Sequence, residues 1–123
     1  MRAQILNAIY QALDVINDTL AHPLPLNEKE NCPLYATGGL DSISLVSLNS
    51  LVEQNIEDTF DQSIILANEK AMSAKNSPFL TVGRLADYIL YLLVLRFETL
   101  LKHYLNQLRD SASEQKKNRY NYF

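Results

Sequence analysis

The chain has 123 residues, of which 47% are hydrophobic and 20% are charged, and its formal net charge at pH 7 is -3. This length supports one hydrophobic core, and the composition excludes an intrinsically disordered protein. The mild acidity argues against a nucleic-acid-binding domain, which normally carries a basic field, and leaves protein partners open. Cys32 is the single cysteine, so an intrachain disulfide is excluded and a cysteine-based zinc site lacks its other thiolates.

The sequence predicts a cytoplasmic protein without a membrane-spanning segment. Tyr10 and Asp14 interrupt the N-terminal apolar stretch, and no small-residue cleavage site follows a charged start, so a signal peptide is not expected. The longest charge-free apolar run, residues 88–95, is too short to span a bilayer. A reducing compartment agrees with the lone cysteine, which we interpret as an inert thiol in a loop.

A first amphipathic helix is predicted from about Ala3 to Leu20, because its apolar residues recur at helical spacing on one face. The next stretch, residues 22–39, contains three prolines and the Gly38-Gly39 pair without apolar periodicity, so it is predicted to be a long loop. Loops of this length within a compact domain are often functional. Four apolar residues are candidates for pinning it to the core: Leu24, Leu26, Leu34 and Tyr35.

A second helix is predicted to begin at Asp41 or Ser42, both good N-cap residues, and to end near Asn55. Residues 55–61 are interpreted as a break, and residues 67–75 as a short third helix that ends before Ser77-Pro78.

Thr81 is predicted to cap a last helix, whose apolar stripe continues to Leu108. From Ser111 the chain becomes polar, so residues 111–123 are predicted to form a flexible tail after a single domain spanning residues 1–110. No useful strand alternation occurs. The predicted fold class is therefore all-α.

The hydroxyl of Ser42 is the candidate site, because it lies where a loop meets a helix. A helix N-terminus favours a phosphodiester charge, and Asp41 offers a carboxylate for docking a modifying enzyme or its metal. We expect Ile43 and Val46, one turn apart, to be buried and to anchor the helix. The dipeptide Asp41-Ser42 alone is also explained by simple helix capping.

Three segments together resemble the acyl carrier protein family of freestanding bacterial carriers, over roughly residues 1–93. The first pairs Cys32-Pro33-Leu34-Tyr35 with the run from Gly39 to Val46, which is similar to the family's loop and attachment site. The second, Phe60 to Ile64, resembles the end of the family's second helix. The third, Thr81 to Ile89, resembles the start of its last helix.

The resemblance implies a four-helix bundle with a long loop after the first helix and an extended C-terminal helix. It implies Ser42 as the attachment residue for 4'-phosphopantetheine from coenzyme A, placed there by a phosphopantetheinyl transferase that docks at Asp41. Acyl-loading, synthase or acyltransferase enzymes would then meet the arm, in fatty acid, polyketide or related lipid metabolism. Five apolar residues are candidates to shelter the acyl chain, although each is equally explained as plain core: Val46, Leu51, Ile64, Leu85 and Ile89.

The sequence departs from the family pattern in ways that affect partner binding. The second helix is usually acidic, whereas here four small polar residues are expected at its exposed positions, so electrostatic steering of partners should be weak. Those residues are Ser44, Ser47, Asn49 and Ser50. In addition, the segment formed by residues 67–79 is longer than the corresponding segment of compact family members. The last helix also extends past the family's usual end.

A second reading treats the chain as a carrier-like helical binding or scaffold module with Ser42 unmodified. Its working surface would be the distal half of the last helix, which would bind a partner helix or a second copy. The residues concerned are Phe97, Leu100, Leu101, Tyr104 and Leu108. An enzyme is the third and least favoured reading. His22 and His103 lack partners at catalytic or metal-binding spacing, so we interpret them as surface histidines.

Overall fold

The structure, a computed structural model, describes residues 1–35, 39–66 and 77–120, and for residues 115–120 the backbone alone. Its elements are helix α1 (Arg2–Asn17), a 3-10 helix (Leu26–Asn31), helix α2 (Ser42–Phe60) and helix α3 (Val82–Tyr120). The described residues contain no strand, only two isolated bridges. The prediction of a mostly helical, all-α chain is therefore confirmed, and the chain divides into two units, residues 1–92 and 93–123.

Helices α1 and α2 pack against each other in the first unit. Each buries residues that recur every three or four positions, as an amphipathic helix does. The side-chain amide of Asn55 on α2 also donates to the carbonyl of Ala8 on α1, at 3.0 Å. The buried residues of the two helices are Ile5, Ala8, Ile9, Ala12, Leu13, Ile16, Leu45, Leu48, Asn49, Val52 and Ile56.

The end of α1 is three residues earlier than predicted, at Asn17 instead of Leu20. The Asn17 side chain accepts a hydrogen bond from the backbone N–H of Leu24 at 2.9 Å and donates to the Leu24 carbonyl at 3.3 Å. This pair of bonds fixes the start of the loop at the end of the helix. Leu24 and Leu34 are buried, as expected of residues that pin the loop. The loop also contains the 3-10 helix, which the sequence did not predict.

The predicted break after Asn55 is wrong, because α2 continues to Phe60. Residues 55–60 include no glycine or proline, and Ile56 continues the buried face. Asp61 ends the helix in the left-handed conformation, at φ 54° and ψ 36°, a geometry that aspartate tolerates better than most residues. The predicted third helix at residues 67–75 lies outside the described residues.

The start of α3 is as predicted: the Thr81 hydroxyl oxygen accepts a hydrogen bond from the backbone N–H of Arg84, at 3.2 Å. The helix continues through Tyr120, well beyond the expected end near Leu108. Residues 109–120 contain neither glycine nor proline and are rich in good helix formers. The domain boundary at residue 110 and the flexibility of the tail remain predictions. No described helix is long and apolar enough to cross a membrane.

Arg2 connects three parts of the first unit. Its guanidinium donates to a carboxylate oxygen of Asp87 on α3 and forms an ion pair with Glu30 on the 3-10 helix. The backbone of Glu30 also lies against Gly83, where an added Cβ would meet the Glu30 carbonyl oxygen at 3.2 Å. Glycine at position 83 therefore permits the close approach of the 3-10 helix to the start of α3.

Candidate functional site

Ser42 is the first residue of α2, and its side chain is exposed. Asp41 is the N-cap, with extended backbone geometry, and its Oδ1 accepts a hydrogen bond of 2.7 Å from the backbone N–H of Ser44. Leu40 and Leu45, on either side of this turn, are buried. The Ser42 hydroxyl is thus presented to solvent on a helix start that is fixed by a cap and by two core residues.

The Asp41 carboxylate is ionised near neutral pH. The hydrogen bond from the Ser44 backbone, the largest cause, lowers the pKa of Asp41 below its ordinary value. A negative charge at a helix N-terminus is favoured by the helix dipole. The site therefore presents a neutral hydroxyl beside a fixed carboxylate.

The loop before Ser42 is held by backbone hydrogen bonds to the segment that leads into α3. The N–H of Leu34 donates to the carbonyl of Leu80 at 2.9 Å, and the N–H of Tyr35 donates to that of Phe79 at 3.0 Å. The Leu40 N–H in turn donates to the Leu34 carbonyl at 3.2 Å. The position of the Ser42 turn is therefore coupled to the start of α3.

These contacts bring together two of the three segments that carry the family resemblance. The N–H of Val82 donates to the carbonyl of Cys32 at 3.1 Å, and an isolated antiparallel bridge pairs Pro33 with Thr81. Residues 32–35 and 79–82, which are separated by more than forty residues in the chain, are thus neighbours. Gly38, the first glycine of the pair before the site, lies outside the described residues.

Gly39 has a φ of +87°, in the region that favours glycine. A Cβ at this position would meet no atom within 4 Å. The requirement for glycine is therefore conformational instead of steric, and it sets the backbone direction two residues before Asp41.

The expectation that Ile43 and Val46 are buried is wrong, since 79% of Ile43 and 47% of Val46 is exposed. A helix turns by about 100° per residue, so Ile43 points roughly opposite to Leu45, which sets the core face. The anchor is formed by Leu45 and Leu48 instead. Ile43 and Val46 together with Ser42 form an exposed apolar surface, which we call the Ser42 rim.

The five candidates for sheltering an acyl chain differ in exposure. Ile64, Leu85 and Ile89 are buried, Leu51 is partly buried and Val46 is exposed. Leu85 and Ile89 lie one turn apart on α3 and share a face. The burial of the first three agrees with a role in the core, and their role in sheltering a chain remains a prediction.

Asn49 is 1% exposed, so its expected exposure is wrong. It lies four residues after Leu45 and three before Val52, which places it on the core face of α2. Neither its Nδ2 nor its Oδ1 has a hydrogen-bond partner among the described residues. The spacing Leu45, Leu48, Asn49, Val52 was the sequence signal for this burial.

The other small polar residues of α2 agree better with the expectation. Ser47 and Ser50 are exposed, and Ser44 is partly buried. Glu53 accepts a hydrogen bond of 2.7 Å from the backbone N–H of Leu66. This carboxylate is therefore engaged in holding residues 61–66 on α2. Along α2 itself, no residue from Ser42 to Val52 carries a charge.

Cys32 is fully buried and is not part of a disulfide. Burial raises the pKa of its thiol, and the nearby charge of Glu28 raises it further. His22 and His103 are both exposed. Within the described ranges, no group of three or more His, Cys, Asp and Glu side chains is placed to hold a metal ion.

Ser42 and Asp41, with the backbone hydrogen bonds around them, form the candidate site. Comparison of the chain with protein-family models, with curated proteins and with solved structures finds no match.

Proposed function

We propose that the chain is an acyl carrier protein, in which Ser42 is the attachment residue for a 4'-phosphopantetheine arm. The observation that carries the proposal is the exposed Ser42 hydroxyl at the first position of a 19-residue helix, directly after an ionised N-cap. The resemblance of residues 1–93 to the family supports it, and implies the four-helix bundle with an extended last helix. On this proposal the chain is not itself an enzyme and works in the cytoplasm.

The residues at the site suit a phosphodiester. In the transfer, Ser42 Oγ forms a bond to the phosphorus that bears the pantetheine of coenzyme A. The pyrophosphate bond to the 3',5'-ADP leaving group breaks, and the hydroxyl proton is removed by the transferase. The resulting negative charge lies at a helix N-terminus, which stabilises anions. When bound, the arm supplies a terminal thiol that carries acyl groups as thioesters.

Asp41 has two roles in this proposal. Its carboxylate caps α2, and its outward charge offers the transferase a docking contact or a ligand for the metal of that enzyme. Because a hydrogen bond from Ser44 already lowers the pKa of Asp41, the carboxylate is charged throughout the physiological pH range.

The Ser42 rim is the surface that partner enzymes are proposed to contact. Ile43 and Val46 are apolar and exposed beside the attachment residue, and no residue of α2 from Ser42 to Val52 carries a charge. Burial of apolar surface contributes about 25 cal/mol per Å² and, unlike attraction between charges, is not screened by salt. Docking of loading, synthase or acyltransferase enzymes should therefore depend weakly on ionic strength.

The shelter for the acyl chain is proposed at the buried residues Ile64, Leu85 and Ile89, with Leu51 at its edge. Their side chains are apolar, as a saturated chain requires. Val46 is 47% exposed, so we place its main contribution in the Ser42 rim.

The test is the intact mass of the protein after incubation with coenzyme A, magnesium and a broad-specificity phosphopantetheinyl transferase. We expect a gain of one phosphopantetheine group, and no gain in Ser42→Ala. Ser47→Ala is a matched control from the same helix and should be modified like the wild type. Absence of a gain under conditions that modify a control carrier would overturn the proposal.

A second candidate function is a helical binding or scaffold module with Ser42 unmodified. The observation that favours it is the set of exposed large hydrophobic side chains on α3 beyond residue 93. The mass measurement separates the two functions, because a scaffold module gains no arm. A protein that gains the arm on Ser42 is a carrier whatever its last helix binds.

A further inference from the structure

The part of α3 in the second unit carries a stripe of exposed apolar side chains. Seven large hydrophobic residues between positions 94 and 108 share one side of the helix, and each is between 37% and 58% exposed. We call them the α3 stripe: Val94, Phe97, Leu100, Leu101, Tyr104, Leu105 and Leu108.

The spacing of the α3 stripe is that of a helix that pairs with another helix. Five of its members recur at alternating intervals of three and four residues, which is the a/d pattern of a coiled coil. They are Val94, Phe97, Leu101, Tyr104 and Leu108. Leu100 and Leu105 flank this seam at the g and e positions and widen it.

An apolar face of this kind is unfavourable in water, because a helix gains most of its stability by burying that face. Seven side chains that are about half exposed present roughly 600 Å². Two such faces bury roughly 1,200 Å² together, which reaches the lower end of the range for stable protein interfaces. Two stripes that cover each other along their whole length therefore reach the area that a stable pair needs.

The e and g positions beside the seam of the α3 stripe carry a single charge, which is negative. Glu98 lies on one side and Gln107 on the other, at the remaining e and g positions of the seam. A second copy meets no like-charge cluster along the seam, since only Glu98 is charged at these positions.

We propose that the α3 stripe is a self-association surface, on which the α3 stripe of a second copy of this chain packs as a helix pair. The pairing does not involve Ser42 or the Ser42 rim. It is independent of the carrier function, so either proposal can fail without the other.

The test is the solution mass of the full chain, measured by sedimentation equilibrium from low to high micromolar concentration. We expect the wild type to reach at least twice the 14.0-kDa chain mass. Leu101→Glu in the centre of the stripe should return it to the monomer mass. Leu108→Glu is a second variant with the same expectation, and far-UV circular dichroism checks that both variants keep their helices.

Leu95→Glu is the matched control. Leu95 is a leucine of the same helix that is 41% exposed, but it lies outside the stripe, on another face of the helix. This variant should associate like the wild type. A wild type that stays monomeric over the whole range overturns the proposal, and so does an equal effect of Leu95→Glu and Leu101→Glu.

Discussion

Asp41 Oδ1 accepts a 2.7 Å hydrogen bond from the backbone N–H of Ser44, and Ser42 lies between the two as the first residue of α2. The cap and the proposed attachment residue therefore share one helical turn. Any change in the cap changes the surroundings of the Ser42 hydroxyl.

Asp41→Ala should lower the melting temperature, whereas Asp41→Asn should retain most of it, because asparagine caps helices about as well as aspartate. The contribution of the charge depends on pH. Since the folded-state pKa of Asp41 is lowered, its stabilisation is present above the ordinary aspartate pKa of about 3.9 and is lost as pH falls through the lower folded value. Thermal melts between neutral and strongly acidic pH should show this loss in the wild type and less of it in Asp41→Asn.

Asn49→Leu should stabilise the protein by about 1 kcal/mol or more. The buried amide has no hydrogen-bond partner among the described residues, and an unpaired buried polar group costs about 1–3 kcal/mol. Urea unfolding of the two proteins measures the difference. Leu48→Ala, at the neighbouring buried position, is the contrasting variant and should destabilise by about 2–5 kcal/mol. A destabilised Asn49→Leu would show that the amide is satisfied in the folded protein.

Cys32 should react slowly with a thiol reagent such as dithionitrobenzoate in the folded, unmodified protein. It is fully buried, and burial raises its pKa, so the reactive thiolate is scarce at neutral pH. Attachment of the arm should add one rapidly reacting thiol per chain, and Cys32→Ser should keep that fast thiol and lose the slow one. Rapid reaction of Cys32 before modification would contradict its burial.

Ile43→Ser and Val46→Ser should leave the free energy of unfolding nearly unchanged, since surface substitutions usually fall within about 0.5 kcal/mol. They should lower the kcat/KM of the transferase for this chain, because the Ser42 rim loses apolar contact. Leu45→Ala is the matched core variant and should destabilise by about 2–5 kcal/mol. An unchanged kcat/KM in both rim variants would place the docking surface elsewhere.

The sequence predicted the helical fold class and the start of each described α-helix within about two residues, because caps and apolar periodicity are local signals. Thr81 and Asp41 are examples, and each accepts the hydrogen bond expected of a cap. The end of α2 was missed because no glycine or proline marks it. Asp61 ends the helix through a left-handed conformation, which composition alone does not reveal.

The placement of Ser42 at a helix start was predicted, but the faces of the helix around it were not. Ser42 is exposed at the helix start as expected, whereas Ile43 and Val46 were assigned to the wrong face. Choosing between two apolar sets on one helix requires knowing which set meets α1, and that is tertiary information. The misassignment of Asn49 has the same origin, since polarity predicted exposure while spacing placed it on the core face with Leu45.

The most direct test of the carrier proposal is peptide mapping by tandem mass spectrometry after treatment with coenzyme A and a phosphopantetheinyl transferase. The account predicts phosphopantetheine on Ser42 alone, with complete loss of modification in Ser42→Ala and full modification in Ser47→Ala. A chain that remains unmodified beside a modified control carrier would contradict it. Modification of a different serine would contradict the assignment of the site.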